Sequence, residues 1–433
     1  MRIALINHGC AKNLVDSELM LGLLDQEGYN ITLDENEADV VIINTCSFIH
    51  DAEKESVDSI LQMIEAGKKV IVTGCLPQKH KAELKNAIPE IDGMLGATNP
   101  ANIVKIIKNI DKEYKNDIIQ QTPKYVYPEN VQRQQITVGS SSYIKIADGC
   151  NYECGYCIIP KLRGKYVSRP IENIVKEAEQ MADKGVSEIV LIAQDTSSYG
   201  VDLYGHQALP ELLTELNKIE NLSWIRVMYA YPTQMTDELI EAFAKLDKVV
   251  KYVDIPLQHS HPRVLKSMKR PVMDYEKFVA KLRKKIPNVA VRTSLIVGYP
   301  GETEEEFEHL CNFVKNVKFD RMGAFEYSRE KGTYSYGLKP QINAKVKHQR
   351  YKKIMELQKQ ISLENNKKYV GKILKCIVEG YSDDGTVILR SEHDAPEVDG
   401  LVYAVSEASV IPGDIENVRI KDADEYDLYG EIE

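Results

Sequence analysis

The run Tyr143-Ile144-Lys145-Ile146-Ala147-Asp148-Gly149-Cys150-Asn151-Tyr152-Glu153-Cys154-Gly155-Tyr156-Cys157 joins a strand to a cysteine loop. Tyr143–Ala147 reads as the strand, and the three cysteines that follow fall at C-x3-C-x2-C. Cysteine thiolates are soft ligands for iron–sulfur clusters, and a four-iron cluster ordinarily takes four of them. The local run offers three, which leaves one iron open to a substrate or cofactor. Two plainer readings compete with this one: three ligands of a structural zinc site, or three unrelated core thiols. Zinc usually takes a fourth Cys or His at short spacing, and no His lies between Tyr143 and Pro170. The loop reads as a catalytic cluster site.

Five more strand-like runs follow: Ser187–Ala193, Trp224–Met228, Tyr252–Pro256, Ala290–Val297 and Arg321–Tyr327. Amphipathic helical patterns separate them, such as Ile171–Lys184 and Glu302–Asn316. Six repeated βα units predict a partial barrel whose site lies at the carboxyl ends of its strands. The cysteine loop leaves the first strand at that end. Gln194-Asp195, Pro256-Leu257-Gln258, Gly298-Tyr299-Pro300-Gly301-Glu302 and Tyr327-Ser328-Arg329 reach it from the others. Each of these is, taken alone, as consistent with an ordinary loop residue as with a ligand contact.

Upstream, residues 1 to about 110 alternate strand and helix signals. Arg2–Asn7, Asp39–Asn44 and Lys69–Thr73 are strand-length apolar runs, with helical patterns at Asp16–Gln26 and about Ala52–Glu65. Continuous apolar strands between helices argue for a parallel sheet covered on both faces. Cys10, Cys46 and Cys75 each lie just after one of those strands. Loops at the carboxyl ends of strands share one edge of such a sheet, so three cysteines remote in sequence are expected to meet there. Free cysteines are also common as small buried apolar residues, but three at equivalent positions favour a second cluster site. Cys311, in a helix, and Cys376, on a C-terminal strand, read as inert structural thiols.

The stretch 111–139 is polar and irregular and reads as a linker. Ala344 to about Lys368 is a long charged helical pattern. Beyond it, Lys372–Glu379, Thr386–Arg390 and Leu401–Val405 alternate as short strands, with turns at Asp384-Gly385, Asp399-Gly400 and Pro412-Gly413-Asp414, predicting a small β-barrel. The expected fold is therefore α/β: an N-terminal open parallel α/β domain (1–110), a linker (111–139), a central partial (βα)6 barrel (140–369) and a C-terminal all-β, OB-like barrel (370–433).

Composition narrows the setting. The chain has 433 residues, 43% hydrophobic, enough for several cores. No apolar run approaches the ~18 residues of a membrane span, and Met1–Asn7 lacks the pattern of a secretory signal. Eight cysteines in such a chain point to metal or catalytic use before disulfides, and a cytoplasmic location is expected. The net charge of −10 is uneven: Gly371–Glu433 hold 5 Lys/Arg against 16 Asp/Glu, a balance of −11, which leaves +1 for the preceding residues. A domain that grips RNA should be basic, because phosphate contacts dominate affinity. An acidic one suits a basic protein, although acidity can also serve solubility alone.

On these residues the chain resembles the methylthiotransferase family of radical S-adenosylmethionine (SAM) enzymes over essentially its full length. The resemblance rests on His8-Gly9-Cys10-Ala11-Lys12-Asn13 with Asp16-Ser17-Glu18, on Asn44-Thr45-Cys46, on Thr73-Gly74-Cys75, on the cluster loop, and on a terminal barrel like a TRAM domain. Gly9–Glu18, Arg163–Pro170, Pro256–His259 and Met268–Pro271 are similar to the RimO branch, which modifies the β-carbon of an aspartate in ribosomal protein twelve of the small subunit. A second branch methylthiolates isopentenyl-adenosine in transfer RNA, and a non-catalytic iron–sulfur protein bound to ribosomes or RNA is a third possibility.

The resemblance implies two 4Fe-4S clusters, with Cys150, Cys154 and Cys157 holding the SAM-cleaving one and Cys10, Cys46 and Cys75 the auxiliary one. It implies that SAM cleavage yields a 5′-deoxyadenosyl radical, that this radical takes hydrogen from the aspartate, and that the auxiliary cluster supplies the methylthio group. Tyr156, Gln194, Gln258, Ser294 and Gly298 are the candidate SAM contacts. The expected partners are a basic ribosomal protein engaged through the acidic TRAM domain and an electron donor such as flavodoxin or ferredoxin.

Overall fold

A computed structural model describes residues 1–47, 50–111, 116–128, 131–136 and 139–433. The chain forms two compact units. The first comprises Met1–Val138 together with Ala147–Glu153 and Cys157–Val167; the second comprises Gly139–Ile146, Cys154–Tyr156 and Ser168–Glu433.

In the first unit, six strands form one parallel sheet: β1 (Arg2–Asn7), β2 (Asn30–Ile31), β3 (Val40–Thr45), β4 (Lys69–Gly74), β5 (Gly93–Gly96) and β6 (Asn116–Ile118), in the order β2-β1-β3-β4-β5-β6. The continuous apolar runs follow from burial on both faces. Val40 and Ile42 pack with Met20, Leu24, Ile103 and Ile106 on one face. Val41 and Ile43 pack with Ile60, Met63, Leu76 and Leu84 on the other. β6 lies inside the stretch read from sequence as linker; its Asn116-Asp117-Ile118 carries almost no apolar signal and is recruited by pairing with β5. Register decides the site: Asn7 pairs with Asn44 and Asn44 with Thr73, so β1, β3 and β4 end nearly level, β1 shortly before Cys10 and the other two directly before Cys46 and Cys75. Downstream, the two-residue strands β8 (Ala147–Asp148) and β9 (Val167–Ser168) pair and bracket the cysteine loop.

The second unit holds the six parallel strands expected of the partial barrel. β7 (Ser141–Lys145), β10 (Glu188–Ile192) and β11 (Trp224–Val227) form one sheet, and β12 (Tyr252–Asp254), β13 (Ala290–Val297) and β14 (Arg321–Glu326) another. A single parallel bridge, Ile225 to Val249, lies at the step between them. Helices such as Ile171–Ala182, Asp237–Lys245 and Glu304–Val317 cover the outside; the last begins with a full capping box of Thr303 and Glu306. Helix Ala344–Asn366 lies along β14, held where Gln358 and Asn365 donate to the Phe319 carbonyl at 3.0 and 3.2 Å.

The chain then closes a five-stranded barrel, β15 (Ile373–Tyr381), β16 (Val387–Ser391), β17 (Val402–Val405), β19 (Leu428–Ile432) and β18 (Ile415–Ala423), around Cys376, Val378, Leu389, Val418 and Ile420. Closure leaves no free sheet edge. Ion pairs join it to the partial barrel: Arg390 meets Glu188, Arg321 meets Asp394, and Arg292 meets Asp399. Among the described residues, no helix is long and apolar enough to cross a membrane.

Candidate active site

Within the first unit the three cysteine loops are tied by side-chain amides. The Asn13 amide donates to Asn44 Oδ1 and to the Thr45 carbonyl, both at 3.0 Å. Asn44 returns its own amide to the Asn13 carbonyl and to Ser17 Oγ, both at 2.8 Å. Thr45 Oγ1 donates to the Thr73 carbonyl at 2.6 Å, so the loops after β1, β3 and β4 share one network. Gly74 sits at φ +96°, where a Cβ would stand 2.5 Å from Asn44 Oδ1 and 2.6 Å from the Thr45 carbonyl oxygen. Only glycine fits that approach.

Cys10 is exposed at the start of helix Ala11–Gln26, Cys46 is half-buried, and Cys75 is buried at the start of helix Cys75–Ala87. Loss of water from neighbouring protein atoms pushes the Cys10 thiol up, but the charges of Lys12 and Arg163 and the N–H groups of Asn13 and Lys12 outweigh it and hold its pKa below the ordinary thiol value. Burial pushes Cys75 up to about 11, opposed by Arg163 and reinforced by Cys10 and Cys46. That mutual influence places the three thiols in one electrostatic neighbourhood. Among the described residues, no three Cys, His, Asp or Glu side chains converge as ligands of a single metal ion would. A polynuclear cluster spreads its thiolates over separate irons, and an all-thiolate donor set beside a buried cation fits an anionic iron–sulfur cluster.

The cluster loop enters the same unit. The Cys150 N–H donates to the Gly164 carbonyl at 3.1 Å; Cys150 Sγ accepts from the Tyr152 N–H at 3.4 Å, and Cys157 Sγ from the Ile159 N–H at 3.5 Å. Backbone N–H donors aimed at sulfur suit thiolates that carry cluster charge. Ile158 and Leu162 pack against Cys75 and Ala97, so the short helix Ile159–Arg163 rests on Cys75. Arg163, at its end, donates to Asp148, Asp16 and Asn13 at 2.7, 3.3 and 2.6 Å.

In the second unit, Cys154 Sγ accepts from Arg270 Nη1 at 3.9 Å, while Arg270 Nη2 donates to the Pro256 carbonyl at 2.5 Å and the guanidinium lies 4.2 Å over the Tyr231 ring. Nothing local to the run Met268–Pro271 marks this contact; the fold brings the Arg270 cation beside Cys154. Gly155 is clamped by Met268 and Ser335, each through a 2.8 Å backbone hydrogen bond. Tyr156 packs against Val264, Met268, Tyr299 and Tyr327.

The other candidates divide. Gln258, at φ +72°, donates its N–H to the Ser294 carbonyl at 2.8 Å, which sets these two neutral polar residues side by side near the carboxyl ends of β12 and β13. Gln194 follows β10; beside it, Asp195 accepts from Ser197 N–H and Oγ at 3.0 and 2.6 Å and so shapes its own loop. The Gly298 N–H is taken by the Glu302 carboxylate at 3.0 Å, and a Cβ at Gly298 would stand 2.2 Å from Lys347. Gly298 therefore holds its loop against helix Ala344–Asn366. Neutral donors and acceptors at Gln258 and Ser294, with an aromatic face at Tyr156, fit a polar nucleoside such as SAM.

Comparison with known proteins agrees with this layout. Residues 2–96 match the uncharacterized protein family UPF0004, residues 144–314 the radical SAM superfamily and residues 370–432 the TRAM domain. The chain is 51% identical to the ribosomal protein uS12 methylthiotransferase RimO of Caldanaerobacter subterraneus subsp. tengcongensis, with 99% of each chain covered. It is 45% identical to that of Clostridioides difficile, covering 100% of this chain and 99% of the relative. Among solved structures, the radical SAM methyltransferase TsrM from Kitasatospora setae superposes with a TM-score of 0.56 at 15% identity, covering 75% of this chain and 74% of TsrM. The cobalamin-dependent radical enzyme OxsB superposes at 0.51 with 12% identity, covering 82% of this chain and 56% of OxsB. These two likenesses concern the fold alone.

Proposed function

Because the chain belongs to the ribosomal protein uS12 methylthiotransferase family of radical SAM enzymes, we propose that it adds a methylthio group to the β-carbon of an aspartate in that small-subunit protein. The observation that carries the reading is the meeting of Cys10, Cys46 and Cys75 at one sheet edge, with the helix that follows Cys157 packed on Cys75. When bound, two 4Fe-4S clusters and SAM supply the radical that opens an unactivated C–H bond and the sulfur that replaces the hydrogen.

The chain's own residues hold and shield those groups. Cys150, Cys154 and Cys157 would hold one cluster, and Cys10, Cys46 and Cys75 would hold the other. The N–H groups of Tyr152 and Ile159, and the Arg270 guanidinium, face the sulfurs of the first set. Tyr156, Gln194, Gln258 and Ser294 orient SAM, and Gly298 keeps the loop after β13 in place for it. A primary radical attacks nearly any neighbour, so such positioning is worth more here than in ionic chemistry.

Substrate choice follows from charge. The terminal barrel exposes Asp383, Asp384, Glu397, Glu407 and Asp422. Three of its five cations are spent: Arg390 is buried against Glu188 and Glu379, and Arg419 and Lys421 pair with Glu433 and Glu431. Such a surface repels a phosphate backbone and attracts a basic ribosomal protein. Electrons come from a flavodoxin- or ferredoxin-type donor, and the work is done in the cytoplasm. The test separates the two cysteine sets under anaerobic, reducing conditions. Cys154→Ala should lose SAM cleavage. Cys46→Ala should retain some SAM cleavage yet form no methylthiolated peptide, and product at the parent's yield from Cys46→Ala would refute the assignment.

A further inference from the structure

Arg163 is 2% exposed and stands among anions. Its Nη1 donates to Asp148 at 2.7 Å and to Asp16 at 3.3 Å, and its Nη2 to Asn13 Oδ1 at 2.6 Å. Asp148 and Asp16 are themselves buried. Asn13, at the far end of the fork, is the residue whose amide binds Asn44 and Thr45 beside Cys46, and its Oδ1 lies 3.7 Å from Cys10 Sγ. Leu162, the residue before Arg163, packs against Cys75. Through Asn13 one guanidinium thus reaches the loops of Cys10 and Cys46, and the helix that ends at Arg163 rests on Cys75.

The other end of the contact leads to the SAM-cluster loop. Asp148 Oδ1 accepts from the Gly149 N–H at 2.7 Å, and Gly149 precedes Cys150. The Cys150 N–H in turn donates to the carbonyl of Gly164, the neighbour of Arg163. Gly164 has φ +78°, and a Cβ there would stand 1.8 Å from the Pro123 carbonyl oxygen, so the backbone at this point is fixed.

We propose that Arg163 is a positioning residue that acts as the fixed counter-cation of the cluster held by Cys10, Cys46 and Cys75 and links it to the loop bearing Cys150. This rests on the reading above that those three cysteines hold a cluster. Arginine suits the place because its planar fork serves acceptors in three directions while its charge stays constant. Two buried carboxylates and a set of thiolates without a cation would be a costly cluster of like charges. Lys12 is a second cation near Cys10, but Arg163 is the one buried within the network. A cation beside an iron–sulfur cluster favours its reduced, more negative state and raises its potential; a nearby carboxylate does the reverse.

The test uses the full-length chain with Cys150→Ala, Cys154→Ala and Cys157→Ala, reconstituted anaerobically, so that only the auxiliary cluster is read by spectroscopically monitored redox titration. If this parent takes up no iron, the cysteine assignment fails and the proposal falls with it. With iron bound, Arg163→Gln should shift the midpoint potential negative, Asp148→Asn should shift it positive, and Arg163→Lys should return most of the way to the parent value. A role in packing alone would move the two neutralising variants in the same direction or not at all, and either result overturns the proposal. Should Arg163→Gln fail to load, the other two variants decide. A positive shift with Asp148→Asn and a near-parent potential with Arg163→Lys support it, and any other pair of results overturns it.

Discussion

Arg321 Nε donates to Asp394 Oδ1 across 2.6 Å, joining the first residue of β14 to the loop after β16, with both side chains buried. Neighbouring contacts repeat the theme. Tyr252 Oη donates to Asp399 at 2.5 Å, and Arg226 Nε to Glu188 at 2.7 Å. Charged residues of four barrel strands (Glu188, Arg226, Arg292 and Arg321) are therefore neutralised by one another or by the terminal barrel. Removing one partner strands a buried charge, typically costing about 3–5 kcal/mol. Asp394→Ala should lower the stability of the second unit by that order in denaturant titrations followed by Trp224, the chain's single tryptophan. The double variant Asp394→Ala/Arg321→Met should recover a large part of the loss.

Acid should weaken the same contacts in a defined window. Burial pushes the Glu188 carboxyl up, but Arg226 and Arg390 outweigh it and hold its pKa at about 2. In the unfolded chain a Glu titrates near ~4.3. The folded value is depressed, so the stabilisation is complete above the unfolded pKa and is lost as pH falls toward the folded one. Unfolding curves at pH 5 and pH 3 should therefore differ less for Glu188→Gln than for the parent chain.

Much of this was legible in the sequence, for a physical reason. Cysteines placed just after apolar strands of a parallel sheet must share an edge, so Cys10, Cys46 and Cys75 declared themselves through periodicity and position. The Arg163 network did not, because Asn13, Asp16, Asp148 and Arg163 are remote in sequence and each is individually ordinary. Gly298 read as a ligand-facing glycine, yet the atoms that fill the space beside it come from Lys347, on a helix whose seating no local pattern reveals. β6 escaped notice because an edge strand of Asn-Asp-Ile gains its order from the strand it joins.

Gly74→Ala offers a local lesion where the loops of Cys46 and Cys75 meet. The substitution combines a positive φ with two contacts under 3 Å, to Asn44 Oδ1 and the Thr45 carbonyl. Strain of this kind costs on the order of 1–3 kcal/mol, and here it falls on the loops of Cys46 and Cys75. Reconstituted protein should retain SAM cleavage while its iron content falls by about half, the share of one of two four-iron clusters.

The thiols of the cluster-free protein should differ in reactivity, since the thiolate is the nucleophile. Cys10 is exposed with a lowered pKa, and Cys75 is buried with its pKa raised to about 11. Limited iodoacetamide treatment near neutral pH, read by peptide mass spectrometry, should label Cys10 well before Cys75. Arg163→Gln, which removes a cation from the surroundings of both thiols, should slow the labelling of each.

Methylthiolation of a basic ribosomal protein can be tested directly against methylthiolation of RNA. The reconstituted enzyme, given SAM, a reductant and a sulfur source under strict anaerobic conditions, should be offered uS12 and isopentenylated transfer RNA in the same vessel, and both should be weighed by mass spectrometry. A methylthio increment on the uS12 aspartate and none on the RNA is the result expected here. An increment on the RNA alone would contradict the account of the acidic barrel and of the substrate.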